Sequence, residues 1–145
     1  MQLEIDRSVH DAMLDAARRA APLEACGLLG GCAGRATAFY EVPNADASAE
    51  HYSMKPEHQF AAVKAMRREG LAMAAIWHSH PATPPRMSEE DRRLAYTPGV
   101  VYVIVSLADA ARPVTRGFDI QDGLPSEVAV TVRDGTRSEQ HGRAP

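Results

Sequence analysis

The chain has 145 residues, with 19 acidic against 16 basic side chains and a net charge of −3. That is one domain's worth of sequence. It lacks the basic excess of a nucleic-acid binder and has no apolar run near the ~18 residues of a membrane span. Two cysteines make no disulfide framework, and Met1 to Arg7 holds no hydrophobic signal region, so a cytoplasmic location is expected.

Leu3 to Ile5 reads as a short strand and Ser8 to Ala20 as a helix. Val9, Met13, Ala16 and Ala20 share one face at helical spacing, Ser8 and Asp11 offer a capping box, and Pro22 ends the run. Ala25 to Leu29 is a strand closed by Gly30-Gly31, and Arg35 to Val42 returns across that turn as the second arm of a hairpin. Cys26 and Cys32 are expected as small buried residues near it. A polar loop (Asn44 to Glu50) and a short extended piece (His51 to Met54) lead to a helix over Pro56 to Glu69. That helix has proline at its first position and Gly70 just past its end. Leu71 to Trp77 is continuously apolar and reads as a buried strand, although periodicity alone leaves a helix open. Pro81, Pro84 and Pro85 then force the chain into a loop, and a helix follows near Ser88 to Ala95. Val100 to Leu107 is a strand rich in β-branched residues. Val114 to Ile120 and Glu127 to Val132 alternate and close the sheet around a turn at Asp122-Gly123. Residues 1–134 are expected to form one domain and residues 135–145 a polar, disordered tail. The layout is α/β, with a mixed, curved sheet and helices packed on its faces.

The chemistry concentrates in His78-Ser79-His80-Pro81 and, across the proline-rich loop, Ser88-Glu89-Glu90-Asp91. Residues two apart on a strand point to the same face, so His78 and His80 project together with Ser79 turned away. Ser88 is placed to cap a helix, and Asp91 in its first turn is carried back toward the histidines. Two imidazoles and a carboxylate suit Zn²⁺, and three protein ligands leave the fourth tetrahedral position open for water, which separates a catalytic zinc from a structural one. Plainer readings exist for each half. Ser88-x-x-Asp91 is also an ordinary capping box, and His-x-His also occurs on surfaces.

Taken together, His-Ser-His-Pro, the seven residues Pro81 to Met87 and Ser88-x-x-Asp91 resemble the signature of the JAMM (MPN+) zinc metalloproteases. Upstream, Pro22-Leu23-Glu24-Ala25-Cys26-Gly27-Leu28-Leu29-Gly30-Gly31 resembles the family's glutamate followed by its Cys-Gly-Leu-Leu strand. The resemblance runs from about Met1 to Val132. It implies a three-layer α/β/α fold with a mixed, curved central sheet, of the cytidine-deaminase-like architecture. It implies one Zn²⁺ per chain held by His78, His80 and Asp91. Glu24, which from the residues alone reads equally as a solvated carboxylate, takes the role of general base toward an activated water. Ser88 both caps its helix and donates its hydroxyl to the developing oxyanion. Cys26 and Cys32 have no part in such a reaction.

The reaction implied is hydrolysis of a peptide or isopeptide bond after the C-terminal Gly-Gly of a ubiquitin-like or sulfur-carrier protein. The chain has no room for the long insertions with which larger members grip a second ubiquitin. An extended tail would add to a strand edge. Arg86, Met87 and Tyr52 are candidate groove contacts, each with a plainer reading as a solvated arginine or a core side chain. Competing readings are a cell-wall or phage-tail type zinc peptidase, against which the absence of a signal region counts, and a non-catalytic MPN scaffold, in which metal ligands would be missing. A non-haem iron oxygenase would place its ligands in another order, and a zinc deaminase would need a following Pro-Cys-x-x-Cys. The sequence leaves open which carrier is cut and whether two copies pair as a homodimer.

Overall fold

The computed structural model describes residues 1–32 and 34–134; Ala33 and the expected tail, residues 135–145, lie outside the described residues. Ten elements follow one another: β1 (Gln2–Asp6), α1 (Arg7–Ala20), β2 (Cys26–Cys32), β3 (Arg35–Val42), α2 (Pro56–Arg68), β4 (Ala72–His80), α3 (Glu89–Leu94), β5 (Val101–Ser106), β6 (Val114–Gln121) and β7 (Leu124–Arg133). The strands pair in the order β1-β3-β2-β4-β5-β6-β7, and β7 pairs with β1, so the sheet closes into a barrel. The mixed, curved sheet of the sequence reading is therefore present, with its first and last strands joined instead of ending in open edges. The β1–β3, β1–β7 and β4–β5 pairs are parallel and the others antiparallel. A parallel pair needs a long crossover. Between β4 and β5 that crossover is the proline-rich loop with α3, which carries the functional motif.

Alternation along the strands sorts the core into two faces. Leu29, Ala75, Trp77, Val101, Val103 and Val105 pack with Leu3, Ile5 and the α1 residues Val9, Met13, Ala16 and Ala17. Leu28, Ile76 and Tyr102 point the other way, onto Ala62 and Met66 of α2 and onto Ala95. Each of the Leu, Ile, Val and Met side chains among them contributes about 1.5–3 kcal/mol when fully buried. Since the period is two, Cys26 lies on the Leu28 side of β2, and His78 and His80 lie on the Ile76 side of β4.

Several local expectations change. Helix α1 has no Ser8–Asp11 capping box: β1 runs straight into it, Asp6 occupies the N-cap without a side-chain cap bond, and Ser8 already lies in the first turn. The Asp6 carboxylate instead accepts from the Arg35 guanidinium at 3.2 Å. Ala17 joins the buried stripe, and Ala20 is only partly buried. Gly30 and Gly31 do not form the hairpin turn but lie inside β2, where the register shifts. Gly31 must lack a Cβ because one would meet the Arg35 carbonyl oxygen at 1.8 Å. The turn itself uses Gly34, in the left-handed region at φ +76°. Cys26 is buried and donates its thiol to the Val42 carbonyl at 3.3 Å, but Cys32 is exposed, not buried; both are free. His51 to Met54 has no regular strand pairing. The β6–β7 turn falls at Asp122-Gly123 as expected, both at positive φ. No described helix is long and apolar enough to cross a membrane.

Candidate metal centre

Strand β4 continues through both histidines and ends at His80. Its antiparallel partner β2 places Cys26 opposite His78. One residue on, Ser79 N–H donates to the Ala25 carbonyl (2.9 Å) and Ala25 N–H donates to Ser79 Oγ (2.8 Å). Ser79 thus turns away from the histidines and stitches the two strands. Continuing the register sets Glu24 across from His80. The loop after β4 is tied down on its other side. Leu107 N–H donates to the His80 carbonyl (3.0 Å), and the Ser106 hydroxyl donates to the Thr83 carbonyl (2.6 Å). At α3 the capping box is complete. Ser88 Oγ accepts from Asp91 N–H, and Asp91 Oδ2 accepts from Ser88 N–H, both at 3.0 Å. The cap that starts the helix therefore also aims the Asp91 carboxylate.

Three donor atoms converge. His78 Nε2 and His80 Nε2 are 3.2 Å apart, and Asp91 Oδ2 lies 3.2 Å from the first and 3.1 Å from the second. Tetrahedral zinc with bonds near 2.0–2.1 Å needs ligand atoms about 3.3 Å apart, so this triangle has the size of one face of such a site. The donor chemistry agrees. His80 Nδ1–H donates to the Pro84 carbonyl at 2.8 Å, and a carbonyl can only accept, so neutral His80 presents the lone pair of Nε2 to the centre. Burial holds His78 below the usual imidazole range, against its contacts with Asp91. Burial alone would raise the Asp91 carboxyl, but hydrogen bonds with His78, His80 and the Ser88 amide hold it far below the ordinary range. Burial likewise lowers His80, yet Asp91 and the Pro84 carbonyl outweigh it and its affinity for a proton rises. An ionised carboxylate facing two buried imidazoles is an arrangement that a cation completes, and these residues fit a zinc ion.

Glu24 is buried, at 4 % exposure, and its Oε1 has no hydrogen-bond partner among the described residues. Burial pushes its carboxyl up to about 8; His80 opposes the shift and Asp91 adds to it, which places Glu24 within electrostatic reach of both. The Cys26 thiol, pushed up to about 12 mainly by burial, is no nucleophile.

Two neighbours were not assigned these roles from sequence. Asn44 uses its whole side chain: Nδ2–H donates to the carbonyls of Glu24 and His51 (both 3.1 Å), and Oδ1 accepts from the amides of Asp46 (3.0 Å) and Ser53 (3.2 Å). It pins the 44–53 loop to Glu24. The Pro43-Asn44 pair, a common turn signal, was the clue available. Tyr52, read only as a candidate groove contact, stacks on His78 with ring centroids 4.6 Å apart and planes 26° apart. Tyr52 also lines a cleft of about 230 Å³, with Met54, Gln59, Ile76, Leu94 and Tyr96 among its other walls. Of the other two groove candidates, Met87 is partly buried against the α2-side core and Arg86 is exposed. A hollow of about 410 Å³ between Met1, the 95–100 segment and the β6–β7 turn contains none of the candidate residues.

Residues 6–119 match the family described as prokaryotic homologs of the JAB domain. A Mycobacterium tuberculosis protein named CysO-cysteine peptidase is 36% identical over 132 residues, 90% of either chain. A Haloferax volcanii protein named desampylase is 32% identical over 112 residues, 72% of this chain and 81% of that one. The solution structure of a protein from Desulfitobacterium hafniense matches with a TM-score of 0.85 at 42% identity, covering 92% of this chain and 94% of that one.

Proposed function

Since the chain belongs to the prokaryotic homologues of the JAB domain, we propose that it is a zinc-dependent peptidase that cuts after the C-terminal Gly-Gly of a ubiquitin-like or sulfur-carrier protein. The names of its two relatives, CysO-cysteine peptidase and desampylase, support that substrate class. The observation that carries the chemistry is the convergence of His78 Nε2, His80 Nε2 and Asp91 Oδ2 at 3.1–3.2 Å, in electrostatic reach of a buried Glu24 with an unpartnered oxygen. A zinc ion bound there would supply Lewis acidity, enough to let water ionise near neutral pH. Glu24 takes the proton of the attacking water and returns it to the leaving amine. A bound cation would favour the ionised carboxylate that accepts the first proton, and burial favours the protonated acid that delivers it. Ser88 Oγ accepts from Asp91 N–H, which leaves its own hydroxyl proton to donate to the carbonyl oxygen as charge develops. A scaffold role alone would leave a buried, unpaired carboxyl beside three donor atoms without a reason.

The cleft beside Tyr52 is our candidate for the carrier's tail. In the extended 51–54 segment, the His51 carbonyl and both backbone groups of Ser53 bond inward to Asn44 and Ala45. The alternate residues Tyr52 and Met54, which line the cleft, make no backbone hydrogen bond among the described residues. That is the outward edge to which an extended peptide can add a strand. In this reading the closed sheet, with α1 on one face and α2 and α3 on the other, is the middle layer of the family's α/β/α arrangement, and the enzyme works in the cytoplasm.

The test is a panel of carrier proteins extended beyond Gly-Gly by cysteine or a short peptide, incubated with zinc-loaded protein and read by mass spectrometry. Cleavage immediately after the second glycine is expected, with none after chelation and about 100–10,000-fold less by Glu24→Gln. Cleavage that survives chelation would refute a metal-dependent reaction, and hydrolysis of wall-type peptides with all carriers untouched would refute the substrate class.

A further inference from the structure

The two candidate histidine ligands are held by different means. His80 is tied at both ring nitrogens: Nε2 faces Asp91, and Nδ1–H donates to the Pro84 carbonyl at 2.8 Å. That second bond is the usual device for fixing the rotation and tautomer of a ligating imidazole. His78 lacks it. Its Nδ1 is buried without a hydrogen-bond partner among the described residues, while its Nε2 faces the same centre. The torsion that turns an imidazole about its Cβ–Cγ bond is broad, so a ring tied at one nitrogen needs its faces packed to hold its aim. Two rings lie against His78: that of His80, tilted by 57° at 5.0 Å and thus edge-on, and that of Tyr52, stacked on its face at 4.6 Å with a 26° tilt.

From this contact we infer that Tyr52 is a positioning residue for His78: its ring does by stacking what the Pro84 carbonyl does for His80 by hydrogen bonding. The inference rests on the metal-site reading above. Tyr52 is itself held in place. It lies between His51 and Ser53, both anchored to Asn44, and Asn44 in turn holds the Glu24 carbonyl. One asparagine thus sets the general-base candidate and the stacking ring from the same loop. Tyr52 also forms a wall of the cleft proposed for the tail, so a bound peptide touches the ring that steadies the ligand. The stacking face carries this role and the phenol hydroxyl does not, because Tyr52 makes no side-chain hydrogen bond among the described residues.

The experiment compares wild type with Tyr52→Phe, Tyr52→Leu and Met54→Ala. Zinc affinity is measured by competition with a chromophoric chelator, and the visible absorption of the cobalt-substituted protein reports ligand geometry. Wild type should bind one zinc per chain. Tyr52→Phe should match it in both readouts. Tyr52→Leu should lose about 10–100-fold in affinity, the range typical of a lost ligand-orienting contact, and show altered cobalt bands. Met54→Ala, which trims a core-packing side chain of the same segment and keeps the Tyr52 ring, should leave both zinc readouts unchanged. Wild-type affinity and spectrum in Tyr52→Leu would overturn the inference, as would equal losses in Met54→Ala, which would mean a loosened loop. Should Tyr52→Leu fail to fold, the Phe variant decides: a loss there shows that the hydroxyl matters and the stack does not. Failure of wild type to bind zinc at all would sink the metal-site reading itself, a result separate from any ranking of the variants.

Discussion

Replacing Glu24 by Gln separates a buried proton from a catalytic one. In the metal-free protein, burial raises the Glu24 carboxyl from 4.5 to about 8. The fold then holds this proton more tightly than the unfolded chain does. The corresponding stability is complete below about 4.5 and is lost as the pH rises through about 8. At 1.36 kcal/mol per pH unit, that interval sets a ceiling of about 5 kcal/mol, and relaxation and water entry at the site rim reduce it to about 2–4 kcal/mol. Gln stays neutral throughout and mimics the protonated acid. Urea unfolding in the presence of a chelator should therefore show wild type and Glu24→Gln equally stable at pH 4. At pH 9 the variant should be the more stable by about 2–4 kcal/mol. Zinc should narrow that gap, because a nearby cation compensates the carboxylate. The same variant should bind zinc and lose about 100–10,000-fold in hydrolysis, the usual contribution of a positioned base. Parallel stability profiles across the whole pH range would refute the buried-proton argument, and near-normal turnover would refute the base assignment.

Three further substitutions test the frame around the site. Asp91→Ala should abolish zinc binding, measured by metal analysis after gel filtration, since its Oδ2 meets both imidazoles within 3.2 Å. Ser88→Ala should cost about 1 kcal/mol in unfolding experiments, as loss of an N-cap does, but about 100–1,000-fold in turnover if the hydroxyl also serves the oxyanion; unaltered turnover would reduce it to a cap. Gly31→Ala forces a Cβ to 1.8 Å from the Arg35 carbonyl oxygen. It should destabilise by about 3 kcal/mol or more, overpacking with no soft neighbour to yield, and a thermal midpoint unchanged from wild type would show that β2 bends to accommodate it.

Much of this protein is local and therefore readable in one dimension. The Pro56 start and Gly70 stop of α2 depend on backbone rules that act within a turn. The His78/His80 pairing depends only on strand alternation, and the Ser88–Asp91 box closes within four residues. The JAMM resemblance likewise rests on short, contiguous strings. Where local rules competed with long-range pairing, they lost. Ser8 could have capped α1, but β1 pairs with β3 and β7 up to the helix start and leaves Asp6 there. Gly30-Gly31 could have made a turn, but the close approach of β3 claims them for the strand. The closure of the sheet, the placement of Glu24 across from His80, the Asn44 hub and the Tyr52–His78 stack were decided by tertiary structure alone. Each depends on segments tens of residues apart meeting in a particular register, and no periodicity within a single segment encodes its distance from another. Composition and pattern determined which side chains could bind a cation; the barrel's strand order determined that they come together with a buried carboxyl, Glu24, in electrostatic reach.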